Sequence, residues 1–202
     1  MDKHIFTSTQ KSTNSQPEAS YALQGDEFPI GTEVIYGIHG KCQVLTIESR
    51  EVSGQVSRFY KLEVQKSALS RSAKREPAIW LPVASARAQG LRPPMSLADA
   101  EAAMSILMSR EFFFNPAEPW SQVYPKLEAT LRNEGGPGLA RVYSYLYVLK
   151  RRQVVPASDV VKLLDSVYKI MIRELAEAFS EAPRILEEKM AKGLRQKLLA
   201  DQ

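Results

Sequence analysis

The residues in this 202-residue chain whose types could do covalent or metal chemistry are few. The single cysteine, Cys42, lies three residues after one of the two histidines, His39, in the stretch GIHGKC. A thiolate beside an imidazole could ligate zinc or act as a nucleophile. Zinc needs three or four ligands, and the one further histidine is His4, far away near the N-terminus. A nucleophile needs a base and an orienting group beside it. The intervening Gly40 signals a turn, and residues three apart on a strand point to opposite faces. The stretch 37–41 therefore reads as a hairpin turn, with Cys42 opening a strand as a small, half-buried hydrophobe. Phosphate-loop, dinucleotide, zinc-protease and serine-hydrolase motifs are absent, and Glu187-Glu188 sits among lysines as a solvated helical face. These residues point to a non-enzymatic protein with no cofactor, no metal and no small-molecule substrate.

The elements around this turn have a clear order. Residues 1–27 are rich in Ser, Thr, Gln and Asn with no apolar period and read as a flexible tail. Residues 28–92 read as β structure: runs at 34–38, 42–48, 57–64 and 78–83 are β-branched or aromatic. Ser53-Gly54 is a hairpin signal, and a basic loop spans 66–76. Four or five short strands suggest a small barrel. Pro93-Pro94 ends this region, and residues 93–202 are helical in pattern. Ser96 with Asp99 forms a capping-box signal for a helix at 97–109. Residues 112–119 read as a loop. Further helices are expected at 120–133, at 139–152 after a GGPG break, from 154–156 to about 179, and at 185–199 with Pro183 starting it. In the long fourth helix, Val160, Leu163, Leu164, Val167, Met171, Leu175 and Ala178 make one apolar face. The fold class is α+β: a small β-barrel followed by an all-α domain.

One cysteine fits a reducing compartment. No apolar run reaches about 18 residues, so no membrane span is expected, and no apolar signal-peptide core stands at the N-terminus. A cytoplasmic protein is the expectation. The net charge of +4 is unevenly placed. Residues 28–92 hold ten Lys and Arg against five Asp and Glu, whereas residues 93–202 are nearly balanced. Such a basic excess attracts phosphate or an acidic protein surface.

The segment FPIGTEVIYGIHGKCQVLTIESREVSGQ resembles the opening of the CarD/CdnL family of bacterial transcription regulators. Gly31, Val34, Ile35, Tyr36, His39, Gly40, Ile47, Glu48 and Gly54 carry the match, followed by Phe59, Tyr60, Leu62, Leu81-Pro82-Val83 and Gly90-Leu91-Arg92. In the helical half, Trp120-Ser121 with Tyr124 is similar to the family's W-S-x-x-Y segment, and Ala140-Arg141-Val142 and Glu174-Leu175-Ala176 to later ones. The resemblance spans about 28–180. It implies a Tudor-like barrel that binds the RNA polymerase β subunit through an exposed strand edge. It also implies a helical domain that contacts promoter DNA at the upstream edge of the bubble, with a tryptophan wedged into the minor groove.

Carried onto this chain, the polymerase contact falls to Ile47, Glu48, Arg50, Glu51, Tyr60 and Trp80. The DNA contact falls to Trp120, Tyr124, Lys126, Lys150, Arg151 and Arg152. Where the family carries cations after its tryptophan, this chain has Gln122, Val123 and Pro125, leaving Lys126. Two alternatives therefore stay open: a relative that docks on polymerase without touching DNA, and an RNA- or ribosome-associated basic barrel using Lys150-Arg151-Arg152 and Arg71-Lys74-Arg75.

Overall fold

The computed structural model describes residues 27–65, 77–152 and 157–199. The strands are β1 (Glu33–Tyr36), β2 (Gly40–Val52), β3 (Gln55–Val64), β4 (Ile79–Pro82) and β5 (Leu91–Arg92). The helices are α1 (Leu97–Met108), α2 (Trp120–Asn133), α3 (Gly135–Arg152), α4 (Ser158–Phe179) and α5 (Pro183–Leu199). Among the described residues the chain is thus α+β, a five-stranded antiparallel sheet followed by five helices. The expected flexible tail and basic loop lie outside the described residues, except that Glu27 is anchored: its carboxylate accepts two hydrogen bonds from Arg58, at 2.7 and 3.0 Å.

The strand order is β4-β3-β2-β1-β5. The expected barrel is not closed, because β4 and β5 end the ladder on opposite edges and do not pair with one another. β2 and β3 form a long hairpin turned by Ser53 and Gly54, both at positive φ (55° and 78°), the conformation a two-residue hairpin loop needs. Val52 then pairs with Gln55, Arg50 with Ser57, Glu48 with Phe59 and Thr46 with Lys61. The register shifts between Val44 and Thr46. This β-bulge reverses the alternation, since one extra residue moves all that follow to the other face. Val44 and Ile47 therefore both face inward, although an unbroken strand would separate them.

The inner face packs Phe28, Val34, Cys42, Val44, Tyr60, Leu62, Leu81 and Leu91 into one cluster. β1 serves two cores. Val34 belongs to the sheet cluster, while Ile35 points the other way and joins the helical core with Met171, Leu175 and Ile170. Consecutive buried residues at 34 and 35 follow from a strand covered on both faces.

In the helical unit the capping box of α1 forms as expected, with Ser96 Oγ accepting from the Asp99 N–H and Asp99 accepting from the Ser96 N–H. The expected break stands at the start of GGPG: α2 ends at Asn133, and Gly135 takes φ 58°. The stretch also forms the first turn of α3, which starts four residues earlier than expected; Pro137 falls there among the orphan N–H positions and costs no hydrogen bond. Its glycines serve close packing: a Cβ on Gly136 would lie 2.7 Å from Met95 Cε, and one on Gly138 would lie 2.7 Å from the Thr130 carbonyl oxygen. The expected start of the fourth helix at 154–156 lies outside the described residues. α4 buries Val160, Leu164, Val167, Met171 and Leu175 as its period predicts, with Leu163 and Ala178 at the margin. The last helix begins at Pro183 as expected, because proline needs no hydrogen-bond partner at that position.

The two units are joined through α4. Glu174 is only 2% exposed, and its carboxylate accepts from both Arg92 amino groups at 2.8 and 2.6 Å and from the Met95 N–H at 2.9 Å. Lys41 on β2 bridges Glu33 at 2.7 Å and Glu177 at 3.1 Å. Lys41 has its ammonium pKa raised overall; burial opposes this, and the two carboxylates outweigh it.

Candidate functional site

The cysteine–histidine pair does not converge. Gly37–His39 form a short 3-10 turn, where the exposed His39 ring stacks on Tyr36 at 5.5 Å. Cys42 is fully buried rather than half-buried, pairing with Val34 on one side and Val64 on the other. β2 runs through the middle of the sheet between β1 and β3, which leaves its inward side chains there no solvent. Gly40 makes the turn possible with φ 72° and ψ −138°, a region essentially closed to other residues. No group of three or more His, Cys, Asp or Glu that could hold a metal occurs among the described residues.

The six residues expected at a polymerase contact split between the two faces of the sheet. Glu48, Arg50 and Trp80 share the outer face: Trp80 pairs with Lys61, and Lys61 pairs with Thr46. The Arg50 guanidinium lies 3.2 Å from the Trp80 ring centre, with the Lys61 ammonium 5.3 Å from the same ring. Glu48 accepts from Arg50 at 3.4 Å and from the Thr46 hydroxyl at 3.0 Å. The result is an aromatic plate bordered by two cations, on edge strand β4, which pairs only with β3 among the described residues.

Ile47, Glu51 and Tyr60 fall on the inner side. Ile47 packs on the sheet core, and Glu51 stands exposed near the hairpin tip. Tyr60 is 2% exposed, its hydroxyl accepting from the Phe28 N–H at 2.9 Å. Burial raises its phenol pKa. Tyr60 is a core residue and is removed from the contact surface. Lys61 and half-buried Phe59 belong to the outer face and were not anticipated. Counting back in steps of two from Ser53-Gly54 would have found them, because a two-residue turn fixes the register.

The residues expected at a DNA contact gather more loosely. Trp120 opens α2, half-buried against the helical core, with its ring 5.4 Å from that of the more exposed Tyr124. Tyr124 donates to Glu128, which holds its phenol above the ordinary range. Lys126 is exposed and tied to Glu118 at 2.5 Å. Lys150, Arg151 and Arg152 form the exposed basic end of α3, and Arg151 lies 5.5 Å over the Tyr147 ring. The chain entering α2 passes Tyr145, whose ring is 5.5 Å from that of Phe114. Lys150 to Arg152 follow Tyr145 by about 8–10 Å along the axis of α3.

These features define an α+β protein with a charged aromatic surface on its sheet and an aromatic helix start beside a basic helix end. No helix of the described residues is long and apolar enough to cross a membrane. No protein-family model matches the chain, and no curated protein matches it.

Proposed function

We propose that this chain is a transcription regulator of the CarD/CdnL type. In this reading it docks on the β subunit of bacterial RNA polymerase with its Tudor-like sheet and stabilises the promoter open complex with its helical unit. One observation carries the reading. The strands of the run from Gly31 to Arg92 that resembles the family form a single antiparallel sheet, and Glu48, Arg50 and Trp80 meet on its outer face beside the edge of β4, which is unpaired among the described residues. An unpaired edge is a template for strand addition. The Arg50–Glu48 pair is solvent-exposed on both sides, so it contributes about 0–1 kcal/mol and is readily exchanged for an acidic partner group. Trp80, supported by Lys61 and Arg50, is the kind of aromatic anchor that dominates interfaces.

The docking-only alternative keeps specific support. Lys126 is held by Glu118, and Trp120 rests on the helical core, so the α2 start offers fewer cations to phosphate.

The test is retention of core polymerase on the immobilised chain. Wild type should retain it, and Trp80→Ala or Arg50→Glu should weaken binding by about tenfold or more. Unimpaired retention by both variants would exclude the outer face. Open-complex lifetime then separates the two readings. Trp120→Ala, assayed well below its melting temperature, should shorten it about fivefold if the indole wedges into DNA, by analogy with base–aromatic stacking. An unchanged lifetime with intact polymerase binding would leave a docking factor.

A further inference from the structure

The seam between sheet and helices holds a cavity of about 200 Å³. Its floor is apolar, with Ile35 from β1 and Val167 and Ile170 from α4, all buried. Its roof is the Gly37–His39 turn, and Glu128 and Arg132 of α2 stand at its rim. We propose that this cavity binds a small monocarboxylate with a one-ring apolar body, the carboxylate meeting Arg132.

Size sets the body of the ligand. An apolar cavity of about 150 Å³ takes up a benzene, so this one holds a single six-membered ring and a small substituent. Charge sets the head group. Glu128 and Arg132 are four apart on one helix, a spacing that ordinarily pairs opposite charges, yet they form no ion pair. Glu128 instead accepts from the Tyr124 hydroxyl. The Arg132 stem lies across Gly90, where a Cβ would come within 3.2 Å of its Cγ. The other arginine lining the cavity, Arg92, is committed to Glu174. Among the described residues Arg132 is therefore the cation left open at the rim, with His39 opposite as a second donor. A guanidinium favours a planar carboxylate, which it can hold by two parallel hydrogen bonds. The ligand would touch the turn of the sheet unit and the helices at once. The inference stands apart from the polymerase reading and survives its failure.

The experiment is amide NMR of the full chain titrated with benzoate, with benzamide and acetate as controls. Benzoate should give saturable shifts confined to the cavity lining, in β1 and the Gly37–His39 turn, Gln89 to Arg92, α2, the first turns of α3, and α4, with an affinity on the order of millimolar, as suits so few atoms. Benzamide lacks the charge and acetate lacks the ring, so each should bind about tenfold more weakly. Arg132→Gln, at an exposed position, should lower benzoate to the level of benzamide, and Arg132→Lys should restore part of the difference. No saturation at about 20 mM benzoate, well above that affinity, would overturn the proposal. So would equal binding of benzamide, shifts elsewhere in the molecule, or undiminished binding by Arg132→Gln.

Discussion

Replacing Glu174 by alanine tests how firmly the two units are joined. The carboxylate is 2% exposed and accepts three hydrogen bonds, two from Arg92 and one from the Met95 N–H. Its loss leaves the Arg92 guanidinium, whose side chain is only 16% exposed, without a counter-charge, and leaves a buried N–H without an acceptor. Breaking a buried pair from one side costs about 3–5 kcal/mol. The partial exposure of Arg92 places the ion-pair share near the lower figure, and the orphaned N–H adds about 1 kcal/mol. A total of about 4 kcal/mol corresponds to a drop of roughly 8–16 °C in melting temperature for a chain of this size. Calorimetry on the full chain reads this directly. The double variant Arg92→Met with Glu174→Met should recover much of the loss, because an apolar pair of similar volume removes both charges. A single Glu174→Ala variant that melts within about 1 °C of wild type, far inside that range, would refute the reasoning. So would a double variant less stable than the single one.

Further outcomes follow from other buried groups. Cys42→Ala should cost about 1 kcal/mol in denaturant unfolding, and elemental analysis of the wild-type protein should find no stoichiometric zinc; one zinc per chain, lost on mutation, would contradict the turn reading. Gly40→Ala should destabilise by about 1–3 kcal/mol, because φ is positive and the new Cβ would meet the Arg173 guanidinium at 2.9 Å; an unchanged melting point would mean that the turn refolds locally. Lys197 is buried, donates to the Ile106 carbonyl oxygen at 3.4 Å, and has its pKa lowered chiefly by burial. A folded pKa below the unfolded value means the unfolded chain binds more protons between the two, so stability rises with pH across that window. Wild type should therefore gain on Lys197→Met as pH rises from neutrality toward about 9.5, below the range where tyrosines ionise in the unfolded chain. A constant difference in melting temperature over that range would refute the linkage.

Much of the architecture was legible in the sequence because local patterns and tertiary packing agree. The Ser53-Gly54 turn, the capping box at Ser96 and the apolar stripe of α4 each act within a few residues, and the division into sheet then helices near Pro93-Pro94 follows from them. The fate of Cys42 as a strand residue was legible in the same way; its full burial was not, because that depends on strands on both sides of it. GGPG correctly marked the break between α2 and α3, but not that α3 begins at Gly135, because composition alone cannot show that small residues after a break serve close packing in a first turn. The site was harder to read, and the cause is a single bulge. By simple alternation from Val44, Ile47 would face outward and Glu48 and Arg50 inward. The extra residue between Val44 and Thr46 reverses this, and so brings Arg50 and Glu48 to Trp80 while Ile47 joins Tyr60 inside. Sequence determined which residue types were present and in what order along each strand. Only the tertiary structure decided which face each one occupies, that Glu174 closes on Arg92 across 82 residues, and that Arg132 is left open at a seam. Those outcomes depend on register and on the docking of two separate cores, and neither leaves a periodic trace in the chain.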